Sequence, residues 1–283
     1  MKRSLFLLLA CTLTAAAPRA AQSPPSAQDF YVAAIRAMGN LPEPRYVSYT
    51  LTSQSDGLTV YLRPIDGLVW LAIEAGTQPQ QWVMLHRTND FATRILDKDG
   101  KVYVSGRSFF DPTWYGTFRA LRDGMLGTQD DAAPLPAAAT PLPETTPIPT
   151  IAVVRVMGPA AYNVFDRGAA ACPNGDPGHA LHLSPKKRAD GAHQLSDAIV
   201  DLRTMRFCML RFGYGFGFGF DGIVEQHYAD VGGYWMVTGG VIDGTLRAFG
   251  ISTHHGMWRY RLTGMTFPSA LPAQDFEVSP AQR

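Results

Sequence analysis

The chain has 283 residues, with 25 Lys+Arg against 24 Asp+Glu, 46% hydrophobic residues, 17% charged residues and 3 cysteines. A formal charge of +1 supplies no field for a polyanion, so a sequence-wide nucleic-acid binder is excluded. The hydrophobic content excludes a disordered chain, and the cysteines are too few for a disulfide-dense scaffold. With Gly 27 and Pro 21, the composition is that of a turn-rich β protein long enough for a full core.

The first segment bears on the compartment. Lys2 and Arg3 precede an apolar run of 13 residues, 5–17, and small residues continue through Ala20 and Ala21. That is the build of a secretory signal peptide spanning 1–21, too short to cross a bilayer, with cleavage expected between Ala17 and Ala21. Removing it takes away Lys2, Arg3 and Arg19 and leaves a slightly acidic exported chain. Leu8-Leu9-Ala10-Cys11 offers a second reading, a lipobox whose cysteine is acylated. The apolar run ahead of Cys11 is short for that role and continues beyond it, so the signal peptide is favoured. No later run approaches a membrane span.

Ser26-x-x-Asp29 reads as a capping box, and Phe30, Ala34, Ile35 and Met38 follow at helical spacing. Gly39, Asn40 and Pro42 end that helix. From Arg45 the period becomes two. Strands are predicted over 45–51, 58–62, 68–74, 81–87, 91–97 and 101–104, with hairpin turns at Asp56-Gly57, Asp66-Gly67 and Asp99-Gly100. Connections this short require an antiparallel meander. Asp111-Pro112 then opens a second helix, whose apolar stripe is Trp114, Phe118, Leu121 and Met125 and whose end is Gly127. Residues 128–150, rich in Pro, Ala and Thr, carry no periodicity and read as an extended linker. Strands resume over 151–157, 161–167, 180–184, 198–202, 205–212, 222–228, 234–242, 245–254 and 257–263. Neither half holds a core by itself, so both are expected to join one sheet with the linker looping outside.

The start of the first strand, Tyr46-Val47-Ser48-Tyr49-Thr50-Leu51 behind a capped helix, resembles that of LolA-like periplasmic outer-membrane lipoprotein-sorting proteins. So do His179-Ala180-Leu181-His182-Leu183-Ser184-Pro185-Lys186-Lys187 and Ala198-Ile199-Val200-Asp201-Leu202-Arg203-Thr204. The hairpin of Gly222–Tyr228 and Val231–Met236 is similar as well, and the order holds over roughly residues 28–267. The resemblance implies an α+β, mostly antiparallel fold: a strongly curved, unclosed sheet (a half-barrel) with helices on its concave side. It implies a single such domain over 22–275, interrupted at 128–150, with a tail at 276–283. It further implies an acyl chain or another apolar ligand, or an acylated protein, in the gap between sheet and helices. The linker departs from the family pattern, and so does the segment that follows.

Phe212-Gly213-Tyr214-Gly215-Phe216-Gly217-Phe218-Gly219-Phe220 alternates aromatics with glycine. In an extended strand its five aromatics line one side, a comb fit to wall an apolar cavity. The same repeat also describes a flexible hairpin tip that collapses on itself or touches a membrane surface. Tyr214, Phe216 and Phe218 are therefore candidate cavity residues, as are Phe109, Trp114 and Phe118 around the second helix. Trp70, Trp82 and Trp235 on strands fit either core or cavity wall.

Cys172 and Cys208 are the two cysteines left after export, a pair that forms a disulfide in an oxidising compartment or else stands as two buried thiols. His254-His255 point to opposite faces of a strand and His179/His182 are poorly spaced to chelate, so no metal or other cofactor is expected. No Gly-x-Ser-x-Gly elbow or phosphate loop occurs, and Asp130-Asp131 lie in the linker. Lys186-Lys187-Arg188 reads as a solvated turn, with contact to acidic partners or lipid headgroups as the alternative. The sequence thus predicts a non-catalytic envelope binder of an apolar ligand, in transient contact with membrane. The alternative is a protein-interaction module whose sheet is filled by its own side chains.

Overall fold

The computed structural model describes residues 26–39, 41–65, 68–87, 92–105, 158–186, 194–215, 220–248 and 251–276. The elements in chain order are helix α1 (Ala27–Gly39) and strands β1 (Tyr46–Asp56), β2 (Leu58–Ile65), β3 (Leu68–Ala75), β4 (Gln81–Arg87), β5 (Ala92–Asp97) and β6 (Val102–Ser105). A 3-10 turn (Pro159–Ala161) leads into β7 (Tyr162–Ala171), β8 (Pro177–Pro185), β9 (Gln194–Asp201), β10 (Arg206–Gly215), β11 (Phe220–Val231), β12 (Tyr234–Ala248) and β13 (Ile251–Thr266). The predicted helix at 111–127, the linker 128–150 and the predicted strand 151–157 lie outside the described residues.

Eleven strands form one antiparallel sheet in the order β6-β5-β4-β1-β13-β12-β11-β10-β9-β8-β7. The first and second halves of the chain meet where β1 pairs with β13, with Leu51 opposite Leu262 and Ser53 opposite Tyr260. Among the described residues no strand pairs with the outer edge of β6 or β7, so the sheet is unclosed. Strands β7 and β10 lie three apart in the sheet, yet both pack on α1. A sheet curled around the helix meets that condition, and twist of one hand accumulating over many strands supplies the curl.

The capping box forms as the sequence requires. Ser26 Oγ accepts the Asp29 backbone N–H at 3.1 Å and donates to the Asp29 carboxylate at 2.6 Å. The buried stripe of α1 is Tyr31, Ala34, Ile35 and Met38. Tyr31, one position past the predicted Phe30, is fully buried and packs on Phe207 of β10.

Two strand predictions are corrected. Asp56-Gly57 is not a hairpin turn: among the described residues β2 pairs only with β3, in a separate two-stranded sheet. Gly57, with φ 81°, forms a parallel bridge to Met257 and sends the chain out of the main sheet. Gly256 makes room for that exit, since a Cβ there would lie 2.5 Å from backbone atoms of Gly57 and Leu58. The three strands predicted between 234 and 263 are two long ones. Asp243-Gly244 pairs with Met257-Gly256 in mid-strand, so the glycines permit close backbone approach rather than a turn. The other expectations hold closely. Asp97 Oδ1 accepts the Asp99 and Lys101 N–H groups around the Asp99-Gly100 turn, and Ile65 lies opposite Leu68 across the predicted second hairpin.

One face of the sheet carries the core. Trp82 lies opposite Leu51 and Leu51 opposite Leu262; Trp258 lies opposite Ile242, Ile242 opposite Val224 and Val224 opposite Phe212; Leu210 lies opposite Ala198 and Ala198 opposite Leu181, and all are buried. Two covers lie over this face. At one end is α1, on β7 and β10; at the other is the β2–β3 hairpin, on β13, β6 and β1, with Leu58 and Val60 buried.

Candidate functional site

The core face is where the sequence places an apolar ligand, and the candidate residues divide there. Trp82 is buried on β4 opposite Leu51, within the core. Trp235 is buried on β12, its Nε1–H donates to the Phe207 carbonyl at 2.8 Å, and the Arg206 guanidinium lies 5.3 Å above its ring. Those contacts make it a clamp between β12 and β10. Phe109, Trp114, Phe118, Phe216 and Phe218 lie outside the described residues, and so do the side chains of Trp70 and Tyr214. The first part of the aromatic comb is a true strand: Phe212 pairs with Val224, Gly213 with Ile223, Tyr214 with Gly222 and Gly215 with Asp221. Phe212 itself is in the core.

Sequence reading missed three polar features of this interior. His86 is fully buried between Tyr49 and Thr93: the Tyr49 hydroxyl is 2.7 Å from Nε2 and the Thr93 hydroxyl 2.9 Å from Nδ1. Burial holds its pKa down to about 3, so the ring is neutral. Trp258 and Tyr31 are fully buried as well, and among the described residues neither the Trp258 Nε1–H nor the Tyr31 hydroxyl has a hydrogen-bond partner. Burial, and secondarily Tyr162, raises the Tyr31 phenol above its ordinary value, so it remains a neutral donor. The signal for these residues was present as inward phase on strand or helix, but an alternating pattern does not tell a buried polar residue from its apolar neighbours.

Cys172 and Cys208 form the disulfide, with Cα atoms 5.7 Å apart. It ties the turn after β7 to β10. Disulfides persist in oxidising compartments, so the bridge fits an exported chain.

The opposite face of the sheet is polar and carries a charge ladder. His182 (β8), Asp197 (β9), Arg211 (β10) and Glu225 (β11) stand on successive strands, with His182 Nδ1 3.0 Å from Asp197 and Arg211 Nη2 2.6 Å from Glu225. The His227 hydrogen bond, then Arg211, holds the Glu225 carboxyl down to about 2 against the opposing effect of burial. His179, also a metal candidate by type alone, pairs with Asp166 at 2.9 Å. Among the described residues no cluster of His, Cys, Asp or Glu is arranged to hold a metal ion.

A groove of about 710 Å³ crosses β11, β12, β13 and β1, within the usual size of a small-molecule site. Its lining includes Tyr228, Gly240, Tyr260 and Leu262, which are buried, so what it offers to solvent comes from their alternates on the polar face. Those are Thr52 and Gln54 on β1, Arg259 and Arg261 on β13, Val241 on β12 and His227 on β11, with Pro173 and Asn174 from the turn beside Cys172 at one end. Nothing in the sequence reading picked out this groove, because its parts come from both halves of the chain.

No family model matches the sequence, and no curated protein matches it either. Among solved structures, the chain is similar to a DUF1329 family protein from Desulfovibrio piger, at 11% identity and a TM-score of 0.35, over 90% of this chain and 98% of that one.

Proposed function

We propose that this is an exported, non-catalytic binder or carrier of a lipid or other apolar-chain ligand in the cell envelope. The observation that carries the reading is the Trp258 indole N–H, fully buried and with no acceptor among the described residues. More than nine in ten buried polar groups in folded proteins are paired. A donor of this kind suits the ester or carboxyl oxygen of a chain lying along the apolar face. The two separate covers support the same reading: among the described residues, α1 packs on β7 and β10 and the β2–β3 hairpin on β13, β6 and β1, so neither packs chiefly on the central strands β11 and β12. The basic n-region and apolar run of 1–21, with the disulfide, support export. Affinity would come from buried apolar area, at roughly 25 cal/mol per Å².

Native mass spectrometry of the full chain, gently purified, tests this together with titration of a fluorescent fatty acid. The expected result is a co-purified lipid and saturable probe binding. Trp258→Phe should weaken that binding about fivefold, the worth of one hydrogen bond of roughly 1 kcal/mol. A lipid-free mass with no probe binding overturns the proposal. The complete burial of Val224, Ile242 and Leu51 by the protein's own side chains favours a second reading, an interaction module with a self-filled core. That reading takes over if the protein is lipid-free and binds no probe.

A further inference from the structure

We propose that the groove on the polar face is a binding site for a phosphate-bearing anion, held by Arg259 and Arg261. These two arginines are alternate residues of β13, so they point to the same side, with Cα atoms roughly 7 Å apart at 3.4 Å per residue. That separation lets two guanidinium forks converge on one tetrahedral anion.

Three observations select them. The first is their lack of carboxylate partners. Arg203, Arg206, Arg211 and Arg247 each lie within 4.0 Å of an Asp or Glu, and among the described residues Arg259 and Arg261 have none. Their cross-strand neighbours are Gln54 and Val241 for Arg259, and Thr52 and Gly239 for Arg261, all uncharged. The second is that the groove lining holds no Asp or Glu at all. Of the acids nearest in register, Asp243, diagonal to Arg259 on the next strand, lies 3.5 Å from His255, and Glu225, two strands away, is bound by Arg211 and His227. The third is the floor. Gly239, opposite Arg261, puts no side chain there, and a Cβ would lie 2.8 Å from the Tyr260 carbonyl. The strand pair therefore approaches too closely for anything but glycine, and no side chain stands between Arg261 and His227 across β12. Thr52, Gln54 and Asn174 add neutral donors around the rim. Four or more donors, with no competing carboxylate, suit the several oxygens of a phosphate better than a single carboxylate.

A free phosphate and one carried on a lipid headgroup present the same chemistry to the site. This inference does not depend on the interior reading, since the groove lies on the other face of the sheet. The test uses the full-length chain without its signal segment, at low salt because exposed charges are screened. It combines calorimetric titration with inorganic phosphate and co-flotation with vesicles of phosphatidylglycerol in phosphatidylcholine, against pure phosphatidylcholine. Binding of inorganic phosphate assigns the site to free phosphate; co-flotation with the anionic vesicles alone assigns it to a headgroup. The double variant Arg259→Gln/Arg261→Gln should lose at least tenfold in affinity while its melting temperature and its fatty-acid probe binding stay unchanged. Arg247→Gln removes the same sign of charge from an arginine already paired with Asp221 and should leave binding intact. Absence of binding by the wild type to both probes overturns the proposal. So does equal binding by the double variant, or an equal loss in Arg247→Gln, which would mean that net charge alone is at work.

Discussion

His86 gives the protein a defined sensitivity to acid. The ring is fully buried, held by Tyr49 and Thr93, with its pKa lowered to about 3 by desolvation. In the unfolded chain it titrates near 6.5. A depressed folded-state value means the unfolded state takes up the proton first. The fold is therefore unaffected by this group above pH ~6.5 and loses about 1.4 kcal/mol per pH unit between ~6.5 and ~3. At pH 4.5 the loss is about 2–3 kcal/mol relative to neutral pH, or roughly 5 °C in melting temperature for a chain of this size. His86→Gln keeps a neutral hydrogen-bonding group between Tyr49 and Thr93 but cannot take the proton. At pH 7.5 it should cost about 1–3 kcal/mol through imperfect replacement of two buried hydrogen bonds. Its decline between pH 7.5 and 4.5 should be smaller than that of the wild type by about 2–3 kcal/mol. Urea unfolding at four pH values, with the disulfide intact, measures both slopes. Parallel wild-type and variant slopes would mean that His86 is not the buried neutral group described, and the reasoning fails.

Two further predictions concern the frame around the groove and the core. Reducing Cys172–Cys208, or replacing both by Ser, opens a loop with a sequence separation of 36, and should cost roughly 3–4 kcal/mol on the chain-entropy account; a non-reducing urea titration beside a reducing one reads the difference, and coincident midpoints would contradict it. Gly240→Ala places a Cβ within reach of the Glu225 carbonyl and 2.5 Å from the Tyr260 hydroxyl. It should destabilise by about 1–3 kcal/mol through overpacking, with a melting temperature equal to wild type as the contrary result.

Strand content, the capped first helix, the two true hairpins and the bridging cysteines were legible in the sequence. Each depends on contacts a few residues apart, or on a count of residue types in a compartment. Alternation at Val47, Tyr49 and Leu51 identifies an inward face whatever strand lies next door. The identity of that neighbour is a different matter. That β1 lies between β4 and β13, and that β2 leaves the sheet at Gly57, depends on Gly256 meeting Gly57 across some two hundred residues of chain. Read locally, Asp56-Gly57 has the same signature as a hairpin turn. The interior donors Trp258 and Tyr31, and the neutral His86, become unusual only once burial removes water from around them. Residues 212–215 of the aromatic comb, conspicuous in the sequence, are in part an ordinary strand. The two arginines facing the groove are unremarkable in the sequence. What marks them is that the residues directly opposite them on both flanking strands are uncharged, one strand coming from the first half of the chain and one from the second. Local spacing therefore determined what the segments are and which way they face. Only the tertiary pairing decided which charges are neutralised and which donors are shut away from water, because both depend on neighbours that sequence distance does not reveal.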